Sequence, residues 1–273
     1  MDRGFLFGDA VYEVIPVFGG HPLRLAHHLR RLDYSLSAVR IPPPLTAAEM
    51  TQLCERLIAD HGGGDQILYL QVTRGVAAAR DHQFGSDLRP TLFAMSRPAS
   101  PPSAAPPAAI AAVVAEDIRW HRCDIKTTAL LGGVMLIQQA LAAGAAEALL
   151  VRDGRVWEGA SSNVFGVLDG VLRTAPLGPR VLAGITRDLV LELARAHRLP
   201  CREEALTVAE LARVSELWIT SSTRELVPVT QLDGRPVGSG VVGPLFYNMW
   251  HWYQTFRQQV SSGVRAPDAP VQE

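Results

Sequence analysis

Lys126 is the one lysine of a 273-residue chain whose lysines and arginines together number 26. A guanidinium stays protonated and serves any site that needs only positive charge. A lysine amine can instead lose its proton in a suitable pocket and condense with an aldehyde to form a Schiff base. A chain that uses arginine almost everywhere and lysine once raises the question of what only an amine could do there. A solvated surface charge, left over from a strong arginine bias, is the competing reading of the same residue.

Other groups with chemistry to offer lie along the chain. Glu158 opens the run Glu158-Gly159-Ala160-Ser161-Ser162-Asn163-Val164-Phe165. By itself it reads as a solvated turn acid. Gly184-Ile185-Thr186 stands just before a predicted helix, where backbone amides can cradle a phosphate or Thr186 can serve as an ordinary cap. Thr220-Ser221-Ser222-Thr223 closes a predicted strand with hydroxyls, as turns often do. Arg30 and Arg31 are neighbours on a predicted helix and about 100° apart around its axis, so they cannot both point into one site. Tyr12, Arg80 and His82 offer a phenol, a guanidinium fork and an imidazole, donors suited to a carboxylate. For Arg80 and His82, a solvated loop is the alternative.

Periodicity and punctuation predict the elements that must position these groups. Leu25, Leu29, Leu32, Leu36 and Val39 recur at helical spacing and predict a helix over 23–40, ended by Pro42-Pro43-Pro44. Thr46 followed by Glu49 is a capping box for a second helix that runs to Asp60. Strands are predicted at 67–73 and 91–95, and the proline-rich stretch 98–107 reads as a linker. Beyond it come a strand at 109–115 and a helix at 134–143. Strands within 147–174 follow, punctuated by Asp153-Gly154 and Asp169-Gly170. Helices at 187–197 and 207–212, strands at 216–220 and 227–232, and a helix at 244–259 complete the series. The expected class is α+β, with a small domain over 1–98, a linker over 99–107, a larger sheet-rich domain over 108–260 and a frayed tail over 261–273.

Composition excludes several classes. A net charge of −1 leaves no basic footprint for nucleic acid. No apolar stretch is long enough to span a bilayer, and the N-terminus lacks the apolar core of a signal peptide. Cys54, Cys123 and Cys201 are odd in number and widely spaced. That pattern suits a reducing cytoplasm and supplies neither a zinc site nor a disulfide framework.

Five segments in order resemble the class IV (fold-type IV) pyridoxal-phosphate aminotransferases. They are Asp2-Arg3-Gly4-Phe5-Leu6-Phe7-Gly8-Asp9-Ala10-Val11-Tyr12-Glu13, Val72-Thr73-Arg74-Gly75, the segment that ends at Lys126, the run from Glu158 to Phe165, and Leu182-Ala183-Gly184-Ile185-Thr186-Arg187. Within that family, Arg80-Asp81-His82-Gln83-Phe84 and Arg119-Trp120-His121-Arg122-Cys123-Asp124-Ile125-Lys126 look most like the D-amino-acid aminotransferases. The resemblance implies a two-domain fold, with a small N-terminal α/β domain and a larger sheet-rich C-terminal domain. It implies pyridoxal 5′-phosphate as cofactor and transamination of D-amino acids, with D-alanine and 2-oxoglutarate as the default pair.

The same resemblance assigns roles. Lys126 would form the Schiff base and then carry the proton that transamination moves. Glu158 would face the pyridine nitrogen and keep it protonated. Arg31, Ile185, Thr186 and Ser222 would hold the phosphate, Leu182 would pack on one face of the ring, and Ser161 would also touch the cofactor. Tyr12, Arg80 and His82 would hold the substrate carboxylate, the last two reaching in from the partner subunit of a cytoplasmic homodimer. An arginine trap on the Arg80 loop is the feature that resembles the D-specific group. No metal, nucleic acid or membrane is implied; the partners are small amino acids and 2-oxo acids.

Rival members of the family fit less well. A branched-chain L-aminotransferase would show Gly-Gly-Asn-Tyr shortly after its lysine, where this chain has Leu131-Gly132-Gly133-Val134-Met135. Aminodeoxychorismate lyase would follow its lysine with a pattern like His-Leu-Asn-Arg, unlike Thr127-Thr128-Ala129-Leu130. A cofactor-holding scaffold without activity gains no support from an intact Lys126, Glu158 and Arg31. Two departures stand out. Val76-Ala77-Ala78-Ala79 makes the Arg80 loop one residue longer than the family pattern. The chain also starts almost at the Asp2-Arg3-Gly4 motif, where the resemblance implies roughly two further strands. Either the start is misassigned or the small domain has an open sheet edge, and the expectation is a truncated start.

Overall fold

The computed structural model describes residues 1–100, 103 and 105–271. The chain divides into two compact units. One comprises Met1–Pro101, Ile125–Leu130 and Arg257–Ala269, the other Pro102–Asp124, Leu131–Phe256 and Pro270–Glu273. Of the expected linker, residues 101, 102 and 104 lie outside the described residues, as do 272 and 273 of the expected tail.

The first unit opens with a short helix α1 (Arg3–Phe7), strands β1 (Ala10–Phe18) and β2 (His21–Pro22), and helices α2 (Leu25–Ala38) and α3 (Ala47–Asp60). Strands β3 (Gln66–Thr73) and β4 (Thr91–Pro98) follow. The four strands form an antiparallel sheet in the order β2-β1-β3-β4. Period-2 alternation sends Val11, Ile15 and Val17 of β1 and Leu68, Leu70 and Val72 of β3 to one core. Leu25, Leu32 and Leu36 of α2 and Met50, Cys54 and Ile58 of α3 fill the same core. Each fully buried aliphatic side chain contributes about 1.5–3 kcal/mol. The capping box starts α3: Glu49 N–H donates to Thr46 Oγ1 at 3.3 Å, and Thr46 N–H donates to Glu49 Oε2 at 2.8 Å.

Strand β1 is absent from the sequence prediction. Its inward positions include the fully buried Glu13, and it contains Pro16, so the apolar alternation that marks a strand is broken. Pairing with β3 from Ala10↔Thr73 to Val17↔Gln66 holds it in place. The tail expected to fray is tied down in part. Arg24, the residue before α2, makes no side-chain cap. Asp268 supplies one instead, accepting from Ala26 N–H at 2.9 Å, while Arg24 N–H donates to Pro267 O at 3.2 Å.

The second unit holds β5 (Ile110–Glu116), α4 (Leu131–Ala142), β6 (Glu147–Arg152), β7 (Arg155–Gly159), β8 (Asn163–Leu168) and β9 (Val171–Thr174). Then come α5 (Ile185–Ala196), β10 (Cys201–Glu203), α6 (Val208–Leu211), β11 (Glu216–Ser221), β12 (Glu225–Leu232), β13 (Arg235–Pro236) and α7 (Pro244–Ser261), which belongs to this unit as far as Phe256. Its nine-stranded sheet runs β10-β9-β8-β11-β12-β5-β6-β7, with β13 beside β12. Both Asp-Gly pairs turn hairpins with positive φ at each residue, 54° and 70° at Asp153-Gly154 and 51° and 77° at Asp169-Gly170. Strand β6 feeds two cores by alternation: Ala148 and Leu150 pack with Leu136 and Ala140 of α4, and Leu149 with Val164, Leu217 and Ile219. No helix among the described residues is long and apolar enough to cross a membrane.

Candidate active site

In the first unit, Lys126 is clamped by its backbone. Tyr12 N–H donates to the Lys126 carbonyl at 3.0 Å, and Lys126 N–H donates to Ser35 Oγ at 3.2 Å. On one side Ile125 is buried in the core; on the other, the Thr127 hydroxyl donates to Ala10 O at 2.9 Å. The half-buried side chain therefore leaves a fixed point, and its Nζ lies 4.2 Å from the centroid of the Tyr12 ring. Burial, with Glu13 nearby, pushes the Tyr12 phenol up, so it stays a donor at neutral pH.

Successive residues of β1 point to opposite faces, so Glu13 turns away from Tyr12 toward α2. There Arg31 Nε and Nη2 donate to its two oxygens at 2.7 and 2.8 Å, and His28 Nδ1 lies 2.7 Å from Oε2. Burial alone would raise the Glu13 carboxyl; the charge and hydrogen bonds of Arg31 and the His28 contact outweigh it and hold it far below the usual range. His28 is pushed down, chiefly by burial. Arg31 is buried and Arg30 exposed, as neighbours about 100° apart on a helix must be. Glu13 takes Nε and Nη2 of Arg31, which fixes the plane of the guanidinium.

Arg80 and His82 sit on the exposed loop between β3 and β4. Both lean on Phe7: the Arg80 guanidinium is 5.1 Å from that ring's centroid, and the His82 ring is 5.5 Å away at 37°.

In the second unit, Glu158 is buried at the end of β7. Its Oε1 accepts from Arg119 Nη1 at 2.7 Å, and its Oε2 from Leu182 N–H at 2.9 Å and Asn163 Nδ2 at 3.3 Å. Asp117 in turn grips Arg119 through Nε at 2.9 Å and Nη2 at 3.1 Å. Burial still wins: the Glu158 carboxyl lies above the usual range despite the opposing pull of Arg119 and the Leu182 N–H.

Asn163 draws the pieces of this site together. Its Nδ2 also donates to Leu182 O at 3.0 Å, and a Cβ at Gly184 would sit 1.9 Å from its Oδ1, so only glycine fits there. Gly184 makes no side-chain cap, so α5 begins with Ile185 and Thr186 and their amides uncapped. Across the sheet Asn163 pairs with Thr220, a buried residue whose hydroxyl has no partner among the described residues. Ser222 lies in the turn that follows. Ser161 donates to the buried Glu147 at 3.1 Å, and Arg224 of that same turn donates to Glu147 and, at 3.0 Å, to Ser161 Oγ.

The structure thus groups Glu158, Leu182, Ile185 and Thr186 around Asn163, and ties Ser161 to the turn of Ser222. It groups Lys126 and Tyr12, with Arg31 behind them. Sequence reasoning assigned no role to Glu13, His28, Arg119, Asn163 or Glu147. Arg119 and Asn163 stood inside quoted motifs, so position relative to Lys126 and Glu158 was a usable signal. Glu13 closes the first of the family motifs, so its place next to Tyr12 was the corresponding signal.

The family model described as Amino-transferase class IV matches residues 10–232. The D-alanine aminotransferase of Bacillus licheniformis is 43% identical over 248 residues, covering 91% of this chain and 87% of that protein. In structure the chain is similar to the branched-chain amino acid aminotransferase of Escherichia coli, with a TM-score of 0.86 at 24% identity, covering 98% of this chain and 90% of that one. A T.th. branched-chain amino acid aminotransferase complexed with N-(5′-phosphopyridoxyl)-L-glutamate gives a TM-score of 0.85 at 22% identity, covering 98% and 89%. These two structural likenesses carry the two-domain fold alone.

Proposed function

We propose, from the premise that this chain belongs to the amino-transferase class IV family, that it moves the amino group of D-amino acids to 2-oxo acids. D-alanine and 2-oxoglutarate are the default pair, in keeping with the name of the Bacillus licheniformis relative. The observation that carries this reading is Lys126. The chain's one lysine is backbone-clamped to β1 and half-buried, with its amine against Tyr12, which a leftover surface charge would not require.

Several features of this chain suit pyridoxal 5′-phosphate. Glu158 is a buried carboxylate raised by desolvation, which a cationic N–H would stabilise. The uncapped start of α5 offers amides to a phosphate, and the Thr220 hydroxyl lacks a partner among the described residues. When bound, the cofactor supplies an aldehyde for the amino group and a ring that takes up the electron pair left on the substrate α-carbon.

Lys126 would hold the aldehyde carbon through Nζ, and after the substrate amine displaces it the same Nζ would take the proton from the α-carbon. Glu158 would keep a proton on the ring nitrogen. Arg31, the Ile185 and Thr186 amides and Ser222 would hold the phosphate, with Leu182 and Ser161 completing the contacts. Tyr12, Arg80 and His82 would bind the substrate carboxylate. Clamping that group on one side fixes which enantiomer presents its α-proton to Lys126.

The working form in this reading is a cytoplasmic homodimer in which the Arg80 and His82 loop reaches the partner's site. Support comes from α4, where Leu131, Val134 and Met135 are 73%, 52% and 57% exposed, an apolar helix face suited to cover. Cys54, Cys123 and Cys201 are free thiols, in keeping with a reducing compartment.

The test offers D-alanine, L-leucine and aminodeoxychorismate separately to the purified protein with pyridoxal phosphate. Turnover of D-alanine that requires 2-oxoglutarate supports the proposal. Turnover confined to L-leucine, or pyruvate released from aminodeoxychorismate without an acceptor, overturns it.

A further inference from the structure

We infer that α1 is a positioning element for the substrate-carboxylate trap: Arg3 and Phe7 hold the loop carrying Arg80 and His82 in one conformation before substrate arrives. The inference rests on the reading of Arg80 and His82 as substrate residues.

The loop over 76–90 is exposed along almost its whole length. Ordering such a segment only when substrate binds would subtract its conformational entropy from the affinity. Arg3 supplies the order in advance. Itself buried, it gives its fork to the loop backbone: Nη1 donates to Asp81 O at 2.6 Å and Gln83 O at 3.3 Å, and Nη2 to His82 O at 3.3 Å. Three consecutive carbonyls around His82 are thereby held by one side chain. Its Nε donates to Asp9 at 2.9 Å, and the Asp9 carboxylate also accepts two bonds from Arg74 at 2.8 and 2.9 Å. Arg74 in turn carries Phe84 on its face, 3.8 Å from guanidinium carbon to ring centroid.

Phe7 orients the two trap side chains. Arg80 and His82 both pack on its ring, and Arg3 lies 4.8 Å from the same centroid. A guanidinium on an aromatic ring uses its face and leaves its N–H edges for a carboxylate. The neighbouring Asp81 carboxylate is turned to its own loop, where Oδ1 accepts from Gln83 N–H at 3.2 Å. The platform is anchored to strand ends. Asp2 Oδ2 accepts from the Thr73 and Thr91 hydroxyls, each at 2.9 Å, which ties α1 to β3 and β4. At the loop stem Gly75 has φ 101°, and a Cβ there would lie 1.9 Å from Arg89 O.

The experiment uses the holoenzyme and the variants Arg3→Lys, Phe7→Leu, Phe7→Tyr and Arg80→Ala. It reads kcat and KM for D-alanine and 2-oxoglutarate, the visible spectrum, and hydrogen exchange of the amides over 79–84. Arg3→Lys keeps the charge beside Asp9 but loses the fork, and Phe7→Leu keeps an apolar side chain but loses the platform. Both are expected to raise KM for both substrates about tenfold while kcat stays within about threefold. The spectrum should stay unchanged, the 79–84 amides should exchange faster, and Phe7→Tyr should restore KM. Unchanged exchange, or a fall in kcat at constant KM, would overturn the inference. Arg80→Ala separates the two levels. If it raises KM while Arg3→Lys and Phe7→Leu do not, only the role of α1 fails. If it leaves KM unchanged, the substrate reading of the loop fails and the inference with it.

Discussion

The amine of Lys126 lies over the ring of Tyr12, 4.2 Å from its centroid, and the same two residues share a backbone hydrogen bond of 3.0 Å. One strand, β1, therefore sets the place of the amine and of the phenol at once. A cation on an aromatic face is held by about 0.5–2 kcal/mol, so the ring also restrains the lysine side chain.

Tyr12→Phe separates these two functions. The ring remains, so the visible band of the bound cofactor should persist. Loss of the phenol donor should raise KM for D-alanine about tenfold, with a smaller change in kcat. Steady-state kinetics beside an absorbance spectrum check both halves. An unchanged KM would remove Tyr12 from the carboxylate site.

Glu13→Gln should destabilise the protein by about 3–5 kcal/mol at neutral pH, because Arg31 loses its buried charge partner. The pH dependence follows from the lowered folded-state pKa of Glu13. Its contribution is complete above the unfolded value near 4.5 and is lost as pH falls below that toward the folded value. Chemical denaturation across an acid series should show the wild type losing stability below pH 4.5 more steeply than the variant. Parallel curves would contradict the ion pair.

Glu158→Gln retains the shape of the side chain and removes its charge. With Glu158 in its proposed role, the expected loss is about a hundredfold or more in kcat with the cofactor still bound, because the ring nitrogen would lack the anion proposed to keep it protonated. Single-turnover measurements of α-proton loss would locate the defect in the chemical step. An unaltered rate would leave Glu158 a buried structural acid.

Local codes were legible where one segment contains its own physics. The capping box of Thr46 and Glu49, the leucine spacing of α2 and the Asp-Gly hairpins needed no tertiary information. Strand β1 was not legible, since Glu13 breaks its apolar alternation and is tolerated only because α2 brings Arg31 and His28 to it. The site shows the same division. Residue type and motif position singled out Lys126, Glu158 and Arg31. The groups that hold them depend on register and packing: Ser35 behind Lys126, Asn163 and Arg119 beside Glu158, Glu13 beneath Arg31. The cap that Asp268 gives α2 joins residues far apart in the chain, so local composition suggested only a loose tail.

Borohydride reduction of the protein loaded with pyridoxal phosphate, followed by proteolysis and mass spectrometry, addresses the central claim most directly. A single pyridoxyl-bearing peptide modified at Lys126, and none from Lys126→Arg, is the predicted result. Label on the N-terminal amine alone, or no labelled peptide, would contradict it.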